Sequence, residues 1–201
     1  MNTPTNLKLD FSKTDTENES GFYLFFDTET TGLPKDYNAP ASNLNNWPRL
    51  VQIAWILYDK DRKNLNEGTH IVRPDGFEIP IAASNIHKIT TEKAKAEGLP
   101  LIEVMKEFKE IINQSKCLVA HNMSYDIKII QAEFLRSNLI SDIDSKETIC
   151  TKEKSTNFCA INTSYGYKWP KLSELYIKLF GTELKDSHDA LVDTKATADC
   201  F

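Results

Sequence analysis

The chain has 201 residues, of which 40% are hydrophobic and 26% are charged, and its formal net charge at pH 7 is −5. This length and composition are ordinary for one globular domain that buries a sizeable core. The acidic balance excludes a protein that coats nucleic acid through a broad basic face, but it is compatible with an enzyme that grips a few nucleotides with the help of divalent cations.

The first 20 residues are polar, and we expect a disordered tail over residues 1–20 followed by one domain over 21–201. The tail lacks the basic start and apolar centre of a signal peptide. No apolar run reaches the roughly 18 residues that span a bilayer, so the sequence predicts a cytoplasmic protein with no membrane partner. With no C-x-x-C spacing, the four cysteines are expected to be buried free thiols rather than zinc ligands: Cys117, Cys150, Cys159 and Cys200.

The first predicted strand is an apolar, aromatic-rich run at 22–26, and the Thr-Thr-Gly string after it predicts a turn. Because side chains alternate along a strand, Asp27 and Glu29 are expected on one face at its carboxyl end, about 6 to 7 Å apart. The nearest cation in sequence is Lys35. The pair therefore needs a distant cation or a bound metal to relieve its repulsion, unless both acids are simply solvated.

A hairpin is predicted next, from apolar strands at 51–58 and 68–74 that a short polar connection joins. Ahead of it lies a long loop rich in Pro and Asn, residues 34–48. Loops of this length in compact domains are usually functional or mobile. The sequence leaves open whether this loop borders a substrate path or binds a partner.

The second half of the chain alternates helices with short strands. Apolar residues recur at helical spacing over 101–112 and predict an amphipathic helix that covers a sheet. A buried strand at 116–120 leads through a turn into a second amphipathic helix, and residues 147–150 are predicted to form the last strand. Strands followed by alternating helices and strands predict an α/β fold with a five-stranded mixed sheet flanked by helices.

Two further helices are predicted near the end of the chain. The first covers 170–180, with Pro170 at its first position and Gly181 just past its end. The second covers 186–201 and opens with capping residues.

Three acidic strings follow predicted elements along the chain: D-T-E at 27–29, H-N-M-S-Y-D at 121–126 and H-D-A-L-V-D at 188–193. In this order they resemble the motifs D-x-E, H-N-x-x-x-D and H-x-A-x-x-D of the DEDD exonuclease family, H subtype. That family includes the proofreading subunits of bacterial replicative polymerases and free-standing 3′–5′ exonucleases. A further family string, H-x-I-T, stands at 87–90, and the resemblance spans about residues 21–201. Each string alone is common, but three in this order would rarely arise by chance.

The resemblance implies a ribonuclease H-like exonuclease fold and a metal-dependent site. The carboxylates that would hold two Mg²⁺ or Mn²⁺ ions, called here the four acids, are Asp27, Glu29, Asp126 and Asp193. Two such ions can activate a water and stabilise the leaving oxygen. His188 matches the family's general base, a role that suits histidine because its charge changes between about pH 5 and 8.

Softer roles are implied for four more residues. Thr28, Thr30 and Leu33 would hold the terminal nucleotide, with Leu33 as an apolar wedge against the end base. Asn122 either contacts the substrate backbone or caps the helix that carries Asp126. His87 and His121 are expected to be structural, since neither matches the family's base.

The expected activity is removal of nucleoside 5′-monophosphates from single-stranded or frayed 3′ ends of DNA. One alternative is an exoribonuclease that trims RNA 3′ ends. Another is a non-catalytic nucleic-acid-binding scaffold, against which the presence of the four acids and the histidine argues. The sequence leaves open whether the protein acts alone, as a dimer or with a polymerase.

Overall fold

The computed structural model describes residues 22–201; the predicted tail, residues 1–20, lies outside the described residues. In this part of the chain the strands are β1 (Tyr23–Thr30), β2 (Leu50–Tyr58), β3 (Asn64–Ile71), β4 (Cys117–Ala120), β5 (Glu147–Cys150), β6 (Asn162–Thr163) and β7 (Gly166–Tyr167). The α-helices are α1 (Ile81–His87), α2 (Thr91–Glu97), α3 (Leu101–Gln114), α4 (Met123–Arg136), α5 (Thr151–Lys154), α6 (Thr156–Cys159), α7 (Leu172–Phe180) and α8 (Ala190–Cys200). A 3₁₀ turn covers Ile143–Ser145.

The main sheet has the strand order β3-β2-β1-β4-β5. The pairs β1–β2 and β2–β3 are antiparallel, whereas β1–β4 and β4–β5 are parallel. The predicted five-stranded mixed sheet is thus confirmed. Because β1 and β4 run in the same direction, their carboxyl ends open on the same edge of the sheet, where the first two acidic strings begin.

Helices cover both faces of this sheet. Leu24 and Phe26 of β1 pack on one face in a core that includes Phe108 of α3 and Ile130 of α4. The alternate residue Phe25 faces the other side and packs with Ala198 of α8. The period-two alternation of β1 therefore sends its even-numbered side chains toward α3 and α4 and its odd-numbered side chains toward α8.

Two strands extend differently from the apolar runs that predicted them. β1 continues past the run at 22–26 through both acids, as their expected place at its carboxyl end requires: Asp27 pairs with Ala54 and Glu29 with Gln52, and the register shifts only at Thr30. Backbone pairing does not depend on side-chain polarity, so an apolar run underestimates the strand. β3 covers Asn64–Ile71 rather than 68–74, because it is an edge strand whose exposed polar residues give no hydrophobic pattern.

Helix starts near the end of the chain also differ from the prediction. The helix predicted over 170–180 begins at Leu172, with Lys171 at the N-cap, so Pro170 lies outside it. Gly181 ends it in the left-handed conformation, as expected. The last helix begins at Ala190, four residues later than predicted, and the Asp189 side chain caps it.

The long 34–48 loop is held against α4. The Arg136 guanidinium donates to the carbonyl oxygens of Leu44 at 2.6 Å and of Trp47 at 2.7 Å. Arg136 also pairs with the buried Glu133 carboxylate at 3.0 Å, and Glu133 accepts from Arg49 at 3.0 Å as well. These contacts fix the loop beside the helix that carries Asp126.

Two simpler expectations concern the whole described part of the chain. All four cysteines are buried and free, as predicted. Across residues 22–201, none of the helices has the length and apolar character that crossing a membrane requires.

Candidate active site

Asp27 and Glu29 lie in the last half of β1, two residues apart. They share the odd-numbered face with Phe25, which packs under α8. Both side chains are partly buried, whereas Thr28 and Thr30 on the opposite face are buried. The expected placement of the two acids on one face is therefore correct.

Asp126 reaches β1 from the first turn of α4 and is buried. Its Oδ1 accepts two hydrogen bonds from Thr28, one from the hydroxyl at 2.7 Å and one from the backbone N–H at 3.2 Å. The Thr28 hydroxyl thus orients a carboxylate, while Thr28 also lines the cleft, so its contact with the terminal nucleotide stays a prediction. This contact joins the first two acidic strings across 98 residues of sequence.

Asp193 and His188 come from the third string at the start of α8. The backbone N–H of His188 donates to Asp193 Oδ2 at 3.1 Å. The other oxygen, Oδ1, is buried and has no hydrogen-bond partner in the part of the chain that the structure describes. His188 has φ +72°, a left-handed backbone, and its side chain is exposed. Asp193 therefore keeps one oxygen available for a ligand.

Gln52 of β2 positions the start of α8. Its Nε2 lies 3.3 Å from Asp189 Oδ2, and its Oε1 accepts from the Ala190 N–H at 3.2 Å. Asp189 in turn caps the helix by accepting from the N–H groups of Leu191 and Val192. Gln52 thus holds the H-D-A-L-V-D string at 188–193 against β2, which pairs with β1.

The pKa values of Asp27 and Glu29 are raised by burial and by the negative charges of the other acids. Burial raises the pKa of Asp27 well above its usual value, and the charges of Asp126 and Asp193 raise it further. Burial also raises the pKa of Glu29 to about 8, again with contributions from Asp193 and Asp126. Without a cation, this part of the site cannot hold all its negative charge at neutral pH.

Local hydrogen bonds moderate this effect at the other two acids. Burial raises the pKa of Asp126, but the two hydrogen bonds from Thr28 and the charge of Lys152 act in the opposite direction. Burial likewise raises the pKa of Asp193, while the N–H of His188 opposes the rise. These two carboxylates are the better prepared to stay ionised.

The donor set fits a hard divalent cation. Ligand atoms of Glu29, His188 and Asp193 lie within 4.8 Å of one another. Among the described residues they form the one such group of three or more. Asp27 and Asp126 do not belong to this group, but Asp27 interacts electrostatically with Asp126, Asp193 and Glu29. Carboxylate oxygens are the ligands that Mg²⁺ and Mn²⁺ prefer. The unpartnered Oδ1 of Asp193 and the mutual repulsion of the acids both favour a bound cation.

The acids lie in a cleft of about 540 Å³ that also has a mainly apolar lining, called here the apolar wall. Its exposed side chains come from the β1 turn, from the 34–48 loop and from α1: Leu33, Tyr37 and Ile86. Leu33 is 73% exposed, as a wedge requires. The long loop thus borders the cleft through Tyr37.

Thr30 lines the cleft and its hydroxyl fixes the turn at the cleft edge, so a contact of Thr30 with the terminal nucleotide stays a prediction. Its Oγ1 and the hydroxyl oxygen of Tyr125 lie 2.6 Å apart, and each lies 2.8 Å from the carbonyl oxygen of Gly32. Gly32 has φ +150°, in the region that favours glycine. The turn that carries Leu33 is therefore hydrogen-bonded to Tyr125 of α4, the residue that precedes Asp126.

Asn122 lines the cleft and occupies the N-cap position of α4, but its side chain makes no capping hydrogen bond. Its Oδ1 accepts instead from the Lys152 ammonium group. The capping alternative is therefore wrong, because a lysine takes the oxygen that a cap would use. A contact with the substrate backbone stays a prediction.

The two histidines expected to be structural differ in surroundings. His121 is buried, with Nδ1 3.0 Å from Thr151 Oγ1 and Nε2 3.0 Å from the carbonyl oxygen of Pro170. Burial lowers the pKa of His121 to about 4, so its ring is neutral and serves to hold Thr151 and Pro170 in place. His87 is also buried and accepts from the Ile89 N–H at 3.1 Å, but it lines the cleft.

Three contributors were absent from the sequence prediction. Gln52 is the polar residue inside an otherwise apolar strand, a signal that was available. Tyr125 precedes Asp126 but gives no signal of its own. Lys152 comes from α5, whose four residues are too short for a periodicity.

Comparison with known families gives a match over nearly all of the described chain. A model of the RNase T family, described as exonuclease, matches residues 24–201. The chain is 29% identical to a PolC-type DNA polymerase III of Staphylococcus aureus over 183 residues, which are 89% of this chain and 11% of that protein. It is 28% identical to the Staphylococcus epidermidis enzyme over 195 residues, 95% of this chain and 12% of that protein. The chain thus spans about a ninth of the length of these relatives.

Solved structures show the same fold. Escherichia coli exonuclease I in complex with a dT13 oligonucleotide superposes with a TM-score of 0.71 at 21% identity, covering 89% of this chain and 40% of that one. A zinc-bound form of the same enzyme with single-stranded DNA gives 0.70 at 21% identity, covering 90% and 39%. The five-stranded mixed sheet is thus the ribonuclease H-like exonuclease fold.

Proposed function

Since the chain belongs to the RNase T family of exonucleases, we propose that it is a divalent-metal-dependent 3′–5′ exonuclease that releases nucleoside 5′-monophosphates from single-stranded or frayed 3′ ends of DNA. One observation carries this proposal: the four acids converge from β1, α4 and α8 with His188 at one cleft, and their pKa values are raised. Such a cluster is costly for a fold unless a cation occupies it. Residues 21–201 constitute the exonuclease domain in this proposal.

The four acids would hold two Mg²⁺ or Mn²⁺ ions. When bound, such ions lower the pKa of a coordinated water and neutralise charge on the phosphoryl and leaving oxygens. The chain's own contribution is to orient the ligands. Thr28 fixes Asp126, and the His188 N–H fixes Asp193 with one oxygen free.

His188 is the general base in this scheme and takes a proton on an imidazole nitrogen from the attacking water. Its exposed ring lies beside Glu29 and Asp193. The left-handed backbone of His188, at φ +72°, and the hydrogen bond from its N–H to Asp193 fix the backbone position from which the imidazole ring extends. Histidine suits this role because a base must be neutral before the step and charged after it, and its charge ordinarily changes between about pH 5 and 8.

The apolar wall of the cleft supports recognition of a chain end. Leu33 and Ile86 offer exposed apolar surface in the same cleft as the acids. A terminal base can pack against such a wall whatever its identity, so the enzyme would cut sequentially without marked sequence preference.

DNA is the preferred substrate of this proposal because the similar proteins are DNA enzymes: PolC-type DNA polymerases and an exonuclease solved with oligodeoxynucleotides. The polymerase relatives also support a role at 3′ ends that a polymerase makes. A scaffold without catalysis is disfavoured because all four acids and the histidine are in place.

End-blocked oligonucleotides test the proposal. We expect a single-stranded DNA blocked at its 3′ terminus to resist digestion, whereas one blocked at its 5′ terminus is shortened stepwise in Mg²⁺. The assay separates labelled products by length, and a matched RNA oligonucleotide measures the sugar preference. Cutting of a circular single strand would show an endonuclease instead, and faster digestion of the RNA would favour the exoribonuclease.

A further inference from the structure

An aromatic segment shortly before α7 is exposed to an unusual degree. Tyr165, Tyr167 and Trp169 lie within five residues, with 99%, 51% and 62% of their surfaces exposed. Large aromatic side chains are normally buried for most of their area, so several exposed in one short stretch mark a binding surface.

Lys152 connects this segment to the cleft. Its ammonium nitrogen lies 4.6 Å from the centroid of the Trp169 ring, and it donates to Asn122 Oδ1. Asn122 itself lines the cleft, beside Asp126. A lysine and an indole thus lie next to the cleft residue Asn122, in a chain whose net charge is −5.

The backbone around Trp169 is fixed rather than loose. The carbonyl oxygen of Pro170 lies 3.0 Å from Nε2 of the buried His121. On the other side, Lys168 donates its N–H to the Ile161 carbonyl at 3.0 Å and its ammonium to Glu174 at 2.6 Å. An indole held in place by its neighbours binds a planar group at little entropic cost.

From this arrangement we infer that Lys152 and Trp169 form a second subsite, which binds the nucleotide that precedes the terminal one. This inference rests on the proposed exonuclease function. With the terminal nucleotide on the apolar wall and its 5′-phosphate at the acids, the strand leaves the cleft past Asn122. There Lys152 meets a backbone phosphate and Trp169 stacks on a base, the two contacts by which single strands are held without sequence preference.

A pair of substrates tests the subsite separately from the chemistry. The p-nitrophenyl ester of thymidine 5′-monophosphate carries a terminal nucleotide but no preceding one, whereas a dT10 oligonucleotide carries both. We expect Trp169→Ala to lower kcat/KM for dT10 about tenfold, as loss of one stacked base implies, and to change the rate on the ester less than about twofold. Trp169→Phe keeps an aromatic face and should recover most of the loss.

Lys152→Gln should lower kcat/KM for dT10 several-fold more than for the ester and weaken the salt dependence measured with dT10; a smaller loss on the ester is expected because Lys152 also acts on Asp126. Lys60→Gln is the matched control, because this exposed lysine lies in the β2–β3 turn at the far end of the sheet. Equal losses on both substrates would place these residues at the scissile bond, and unchanged dT10 kinetics would point to a protein partner; either overturns the subsite. If wild-type protein hydrolyses neither substrate, the proposed function itself fails.

Discussion

Glu29→Gln is expected to lower the nuclease rate by at least about 10³-fold, or about 4 kcal/mol of transition-state stabilisation. The substitution keeps the size of the side chain and removes its charge. Glu29 belongs to the group of ligand atoms that lie within 4.8 Å of one another. In the proposed mechanism, the site without this charge would hold a divalent ion less tightly and offer fewer oriented oxygens.

The same substitution should stabilise the metal-free protein. Burial and the charges of Asp193 and Asp126 raise the pKa of Glu29 from 4.5 to about 8. An acid whose pKa is raised on folding costs stability as pH rises through the window from its unfolded to its folded value, here about 4.5 to 8. In chelator at pH 8, Glu29→Gln should therefore unfold with a free energy higher by on the order of 2 kcal/mol, after discounting for solvent at the open cleft.

Thermal unfolding in chelator at pH 5 and pH 8, together with single-turnover digestion at saturating Mg²⁺, measures both effects. Glu110→Gln is the control, an exposed acid on α3 that should change neither. Near wild-type rates for Glu29→Gln would remove Glu29 from the metal site. A less stable metal-free variant at pH 8 would contradict the repulsion argument.

His188→Asn is expected to reduce the rate by about 10² to 10⁴, the usual contribution of a general base, with Mn²⁺ affinity nearly unchanged. Asparagine is the appropriate replacement because His188 has φ +72°, and asparagine tolerates the left-handed backbone better than alanine. The backbone N–H to Asp193 is retained, so the carboxylate keeps its orientation.

Digestion rates at saturating metal and a separate Mn²⁺ titration distinguish the possible roles of His188. His70→Asn serves as the control, since His70 contacts Glu107 on the surface at 2.9 Å. Full activity in His188→Asn would make the residue a bystander. Loss of Mn²⁺ binding would make it a ligand rather than a base.

The parts of the fold that could be predicted depend on local periodicity. Asp27 and Glu29 share a face because strand side chains alternate, and α3 covers the sheet because its apolar residues recur at helical spacing. The apolar run at 22–26 does not show the full length of β1, because ladder pairing with Ala54 and Gln52 continues under the polar side chains of Asp27 and Glu29. The short helices α1 and α2 were missed, since seven residues carry little periodicity.

Site details that depend on tertiary contacts were beyond the sequence. Nothing local reveals that Lys152 takes the oxygen with which Asn122 could have capped α4. The Thr28 hydroxyl likewise binds Asp126 from 98 residues away. Motif order identified which residues meet, but the partner of each hydrogen-bonding atom followed only from the packed structure.

Metal removal tests the central claim most directly. A 5′-labelled single-stranded DNA is incubated with protein that has been treated with chelator, and with the same protein after Mg²⁺ is restored. The account predicts no shortening in chelator and, with Mg²⁺, a ladder that loses one nucleotide at a time from the 3′ end while nucleoside 5′-monophosphate accumulates. Shortening that proceeds equally in chelator, or internal fragments without mononucleotide, would contradict it.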